Sequence, residues 1–159
     1  MKNLAEKTLL CVAAFIAPSV AAAKDIVSPM LPEEVLVRGD RMFSENGQYR
    51  LDFQSDGNLV LYRTSNGVAL WSSNTHGTPV TMLRFGELYT GSVGCYPEVE
   101  AHSTQLFLTE GADNTWPYHW CVSGTREAFY PEGPTRLILQ DDGGLYLWQV
   151  PIGAFKKIN

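Results

Sequence analysis

Three observations predict an all-β fold for this chain. Short apolar runs alternate in polarity with period two. Gly, Asn, Asp and Ser punctuate them every few residues. Beyond the N-terminus, no stretch holds a helical period over about 11 residues. Composition agrees: aromatics make up 11% and charged residues 18% of 159, with 14 Gly and 9 Pro, a profile that disfavours disorder and long helices alike. The length allows one sizeable core and not two. The 17 acidic residues outnumber the 12 basic ones, so nucleic acid and anionic membrane surfaces are poor partners.

Residues 1–23 have the layout of a secretory signal peptide. Lys2 and Lys7 precede the apolar run from Leu9 to Ala17, Pro18-Ser19 breaks it, and Val20 to Ala23 offer small residues ahead of Lys24. The run is well short of the ~20 residues that span a bilayer, and no later segment is apolar enough, so no membrane insertion is expected. A buried N-terminal helix is the competing reading. Cys11 lacks a preceding apolar stretch, which argues against a lipid anchor. Cleavage near Ala23 removes Lys2, Lys7 and Glu6, takes the formal net charge from −5 to −6, and sends the product to a secreted or extracytoplasmic location. Only Cys95 and Cys121 then remain, in an oxidising compartment, and they are expected to pair. Closing that loop of about 26 residues contributes about 3 kcal/mol on the chain-entropy estimate. Two free buried thiols are the alternative.

Residues 24–34 read as an N-terminal extension and 35–159 as the folded domain. Arg50 to Gln54 and Asn58 to Tyr62 both alternate, and Ser55-Asp56-Gly57 between them is a hairpin turn. If Leu51 and Phe53 face the core, so do Leu59 and Leu61 across the hairpin. Gln54, Asn58, Val60 and Tyr62 then face out, with Asp56 at the turn beside them. Amides, a carboxylate, a phenol and an aliphatic spot on two strands suit a sugar, which presents vicinal hydroxyls and a C–H face. An ordinary solvated strand face would carry similar residues.

The run from Gln54 to Tyr62 fills every fixed position of Q-x-D-x-N-x-V-x-Y, and Trp71 to Thr75 fits W-x-x-N-T. In these motifs the chain resembles the bulb-type (monocot, snowdrop-like) mannose-binding lectins over about Val35 to Gly77. The resemblance implies a β-prism II of three four-stranded subdomains in pseudo-threefold arrangement, with a divergent middle part. It implies that Gln54, Asp56, Asn58 and Tyr62 bond the hydroxyls of mannose and that Val60 touches its ring carbons. It also implies a lectin without a metal or other cofactor, and a disulfide in the middle subdomain.

A threefold family invites a search for further copies. Leu137 to Trp148 repeats the hairpin grammar, with Leu137, Leu139, Leu145 and Leu147 expected inward. Gln140 and Asp142 keep the signature; Gly144, Tyr146 and Trp148 replace Asn, Val and Tyr. This reads as a degenerate second site, with Tyr146 crowding the pocket, or as a platform on which Tyr146 or Trp148 stacks a different sugar. Between Thr78 and Pro134 no signature survives. Val80–Tyr89 and Thr104–Leu108 look like strands, an insertion is expected around Gly91–Ala101 or Thr125–Pro134, and Trp116 or Trp120, with Trp71, is expected to pack centrally.

Catalysis is poorly supported. His76, His102 and His119 are isolated, no zinc spacing or nucleophile motif occurs, and Asp141-Asp142 falls in a turn. The expected function is therefore a secreted lectin for mannose or mannose-containing glycans. A toxin-like or structural module of the same fold, with a vestigial sugar site, is the alternative. One intact signature per chain further implies a homo-oligomer or a longer glycan, because a lone monosaccharide site binds near millimolar.

Overall fold

The computed structural model describes residues 22–88, 103–110, 120–122, 135–149 and 155–159. These residues form twelve strands and, among them, no helix. In chain order the strands are β1 (Asp25–Val27), β2 (Val35–Val37), β3 (Arg41–Phe43), β4 (Tyr49–Phe53), β5 (Leu59–Arg63) and β6 (Ala69–Ser72). β7 (Met82–Leu88), β8 (Ser103–Thr109), β9 (Trp120–Val122), β10 (Thr135–Leu139), β11 (Leu145–Gln149) and β12 (Phe155–Lys157) follow. They make three sheets, ordered β1-β3-β4-β5-β6, β2-β7-β8-β9 and β10-β11-β12.

The expected four strands per sheet become five, four and three, and residues 24–34 account for the difference. Rather than extending ahead of the domain, this segment is built into it. β1 pairs parallel to β3 at the edge of the first sheet. Met30 then bridges Leu137, with both backbone bonds formed (2.9 and 3.1 Å), and so stands in for a fourth strand beside β10. β2 pairs antiparallel to β7 in the middle sheet. Some thirteen residues (25–37) thereby pair with all three sheets and shield an edge of each, as unpaired edges require.

The alternation sets the core. Leu51, Phe53, Leu59 and Leu61 are fully buried, as are Leu137 and Leu145, with Leu139 and Leu147 at 1% and 2% exposure. They meet Leu36, Leu83, Leu106 and Leu108 of the middle sheet, and Ile26, Met30 and Met42 close the cluster. Each such side chain contributes about 1.5–3 kcal/mol by leaving water. Trp71 packs half-buried against this cluster. Trp116 lies outside the described residues, as does the side chain of Trp120. The signal segment 1–21, both insertion regions, Cys95 and the side chain of Cys121 also lie outside them.

Candidate functional site

The signature occupies the hairpin β4–β5. Antiparallel register sets Arg50 opposite Tyr62, Asp52 opposite Val60 and Phe53 opposite Leu59, and Gln54 N–H donates to the Asn58 carbonyl at 2.8 Å. Arg50, Asp52, Gln54, Asn58, Val60 and Tyr62 therefore share the face away from the leucine core. The turn closes with Gly57 N–H on the Gln54 carbonyl (3.1 Å) and Gly57 at φ +90°, a three-residue loop whose last position requires glycine. Space enforces the same choice. A Cβ on Gly57 would lie 2.9 Å from the Thr78 carbonyl and 3.0 Å from the Arg38 guanidinium.

Each signature side chain is partly engaged before any ligand arrives. The Asn58 side-chain oxygen accepts from the Ser72 hydroxyl (3.0 Å) and the Thr75 amide (3.2 Å). These donors fix the orientation of the amide, and its NH₂ has no partner among the described residues. One Asp56 carboxylate oxygen accepts the Asn58 N–H at 2.9 Å, and the other is left as an acceptor. The Gln54 NH₂ donates to the Tyr62 phenol oxygen at 2.7 Å, leaving the phenol proton and the Gln54 carbonyl for a ligand. Two donors and two acceptors are thus preset on one face, with little rotamer entropy left to lose on binding.

The Trp71–Thr75 segment has a physical role that its sequence resemblance alone did not supply. Thr75 donates its hydroxyl to the Gly57 carbonyl at 2.7 Å, and the Ser73 hydroxyl accepts the buried Leu59 N–H at 3.0 Å. Both bonds hold the signature turn from beneath. Arg38 clamps it from the other side, reaching the carbonyls of Val80 (2.6 Å), Thr78 (2.7 Å) and Ser55 (3.0 Å). Nothing in the local pattern marks Arg38, because its three acceptors are backbone atoms distant in sequence.

Two features of the face depart from expectation. Val60 is on it by register, yet only 4% exposed, flanked in the ladder by Asp52 and Ser72. The aliphatic spot it offers is a small floor rather than an open patch. Arg50 and Asp52, passed over in the sequence, add an ion pair at 3.0 Å, and the Arg50 guanidinium lies 5.1 Å from the centroid of the Tyr62 ring. Alternation alone would have found them, since their neighbours Leu51 and Phe53 point inward. Beside the face, an open cleft of about 440 Å³ runs past Gln54 and Asp56 toward Gly39 and Arg41. Asp25 grips Arg41 through two bonds (2.8 and 2.9 Å) and holds that guanidinium above its ordinary pKa.

The C-terminal hairpin β10–β11 copies the frame and fills the site. Gly143 N–H bonds the Gln140 carbonyl (3.0 Å), Gly143 has φ +84°, and an Asp142 side-chain oxygen accepts Gly144 N–H at 2.7 Å, matching Asp56 and Asn58. The side chain of Asn159 supplies both supports that Ser73 and Thr75 give the first turn. It accepts Leu145 N–H and donates to the Gly143 carbonyl, each at 2.8 Å. At the Asn58 equivalent, however, a Cβ on Gly144 would run into the Tyr146 ring. Gln140 and Asp142 stay exposed and Trp148 is half-buried. A smaller cleft of about 260 Å³ survives on the Gln140 side, walled by Pro29 and Ile138.

Among solved structures, the chain is similar to a lectin of Marasmius oreades at 16% identity, over 84% of this chain and 92% of that one, with a TM-score of 0.57. It is similar to the monomeric monocot mannose-binding lectins of Gastrodia elata at 21% identity, over 80% and 91%, with a TM-score of 0.53. A mannose-specific lectin from Dutch crocus, Crocus vernus, matches at 22% identity over 76% and 87%, with a TM-score of 0.52. No family model and no curated protein sequence matches the chain. These likenesses establish the fold as β-prism II, the architecture of bulb-type lectins.

Proposed function

We propose that this protein is an exported lectin that binds mannose or mannose-containing glycans through Gln54, Asp56, Asn58 and Tyr62, with Val60 as a small apolar floor. The observation that carries the reading is the preset polar face: two free donors and two free acceptors held by Ser72, Thr75 and the Gln54–Tyr62 bond. A neutral polyol suits that set, because Arg50 and Asp52 offset each other and the remaining charge, on Asp56, repels anionic sugars. The fold shared with mannose-binding lectins supports the choice of sugar. No metal and no catalytic acid–base pair enters this reading, and among the described residues no cluster of His, Cys, Asp or Glu is placed to hold a metal ion. Export with cleavage near Ala23 and a Cys95–Cys121 disulfide belong to the same proposal.

A single site of this depth binds a monosaccharide near millimolar, about −4 kcal/mol. Glycan capture then comes from an oligomer or from a longer glycan that continues into the cleft beside Gln54. A glycan-array screen of the mature protein tests the proposal, with Asn58→Ala as control. Mannose-terminated glycans should be retained by the native protein and lost by the variant. Closure of the C-terminal copy by Tyr146 favours the alternative for that repeat alone: a structural module with a vestigial site.

A further inference from the structure

Asp40 is 3% exposed, and among the described residues no cation is paired with it. A buried carboxylate without a counter-charge is costly unless its surroundings supply strong donors. Two backbone amides do so here. One oxygen accepts Val37 N–H at 2.9 Å, and the other accepts Lys24 N–H at 2.7 Å. Lys24 is the residue that follows the expected cleavage point, and Ala22 and Ala23 before it are exposed and outside any strand. Cutting the Ala23–Lys24 bond would turn that neutral amide into an α-ammonium at the same place, 2.7 Å from a buried carboxylate.

We propose that Asp40 is the receptor for the α-amino group of Lys24, so that signal-peptide removal locks the N-terminal strand by creating a partly buried ion pair. The reaction is peptide hydrolysis: water adds across the Ala23–Lys24 bond, the carboxylate leaves with the signal segment, and the amine takes up a proton. The lock has a defined target. Lys24 is held at its carbonyl by Arg41 N–H (2.9 Å), and β1 follows at once, leading to Met30 and the three-sheet junction. Other charges nearby are already matched. Glu34 takes Lys24 Nζ (3.5 Å) and Leu31 N–H (2.8 Å), and Asp25 takes Arg41, which leaves Asp40 to the new ammonium. Charge-assisted bonds are roughly twice as strong as neutral ones.

The inference rests on the export reading only for the cellular step, and the two are tested separately. N-terminal sequencing of the exported protein should return Lys24; a start elsewhere in the folded segment overturns the processing step. The lock itself is read from three purified proteins: one released from a fusion to begin at Lys24, the same protein N-acetylated, and one that retains Ala22-Ala23. At pH 7 the free Lys24 start should melt higher than both others by several degrees, about 3–6 °C. Pairing raises the ammonium's pKa, so the advantage is full below about pH 8, the ordinary α-amino value, and fades as pH rises through the raised value. In Asp40→Asn the three proteins should melt together. Should that variant not fold, the acetylated protein and the pH series decide alone. Equal melting of the three proteins at pH 7, or a gap that persists at high pH, overturns the lock.

Discussion

Tyr146 lies over the Cα of Gly144, two residues away on the same face of the C-terminal hairpin, and occupies the space that the Asn58 side chain fills in the first. Two of the three departures from the signature are therefore one event in space: a ring at the Val position needs a missing side chain at the Asn position. The turn beneath is held by Asp142 and Asn159, so the same frame stands without an open site.

Introducing Gly144→Asn alone should destabilise the protein by about 1–3 kcal/mol, because the new side chain meets the ring. The triple change Gly144→Asn, Tyr146→Val, Trp148→Tyr removes the clash and completes the signature. Mannose titration by calorimetry should then give two sites per chain in place of one.

Removing the Tyr62 hydroxyl should separate binding from folding. Tyr62→Phe deletes the acceptor of the Gln54 amide and the phenol proton that this bond leaves for a ligand. At about 0.5–1.5 kcal/mol per net hydrogen bond, mannose affinity should fall roughly 2- to 13-fold. The same deletion should shift the denaturation midpoint little, since Tyr62 is half-buried and outside the core cluster.

Arg38 should matter more than its position suggests. Arg38→Ala leaves the carbonyls of Val80, Thr78 and Ser55 without their donor and releases the signature turn. A cost of about 1–3 kcal/mol is expected in urea unfolding, with weakened mannose binding. Arg38→Lys should not rescue it, because one ammonium cannot reproduce the planar fork.

Asn159 and Thr75 support equivalent turns, and their loss should be felt locally. Thr75→Val should cost about 1–2 kcal/mol and weaken mannose binding, since it frees the Gly57 carbonyl under the site. Asn159→Ala should destabilise by a similar amount and leave mannose binding unchanged. A change in sugar affinity on Asn159→Ala would mean that the C-terminal hairpin takes part in binding.

Much of this was legible in the sequence where the physics is local. Period-two alternation placed Leu51, Phe53, Leu59 and Leu61 in the core, and it set the C-terminal leucines to match. Strands β7 and β8 fell close to the expected apolar runs. What stayed hidden depends on contacts distant along the chain. Residues 24–34 read as an extension because they and the strand after them each pair with a different sheet, and no local period reports a parallel strand, a single bridge and an antiparallel edge strand within residues 25–37. Arg38 and Asn159 act on backbone atoms, which have no sequence signature. The burial of Val60 follows from its ladder neighbours and not from its own type.

The most direct test of the account is a calorimetric titration of the mature protein with methyl α-mannoside, paired with Asn58→Ala. Heat fitting one site per chain at millimolar affinity, abolished in a variant that remains folded, is the predicted result. No heat at millimolar sugar, or heat unchanged in Asn58→Ala, would contradict it.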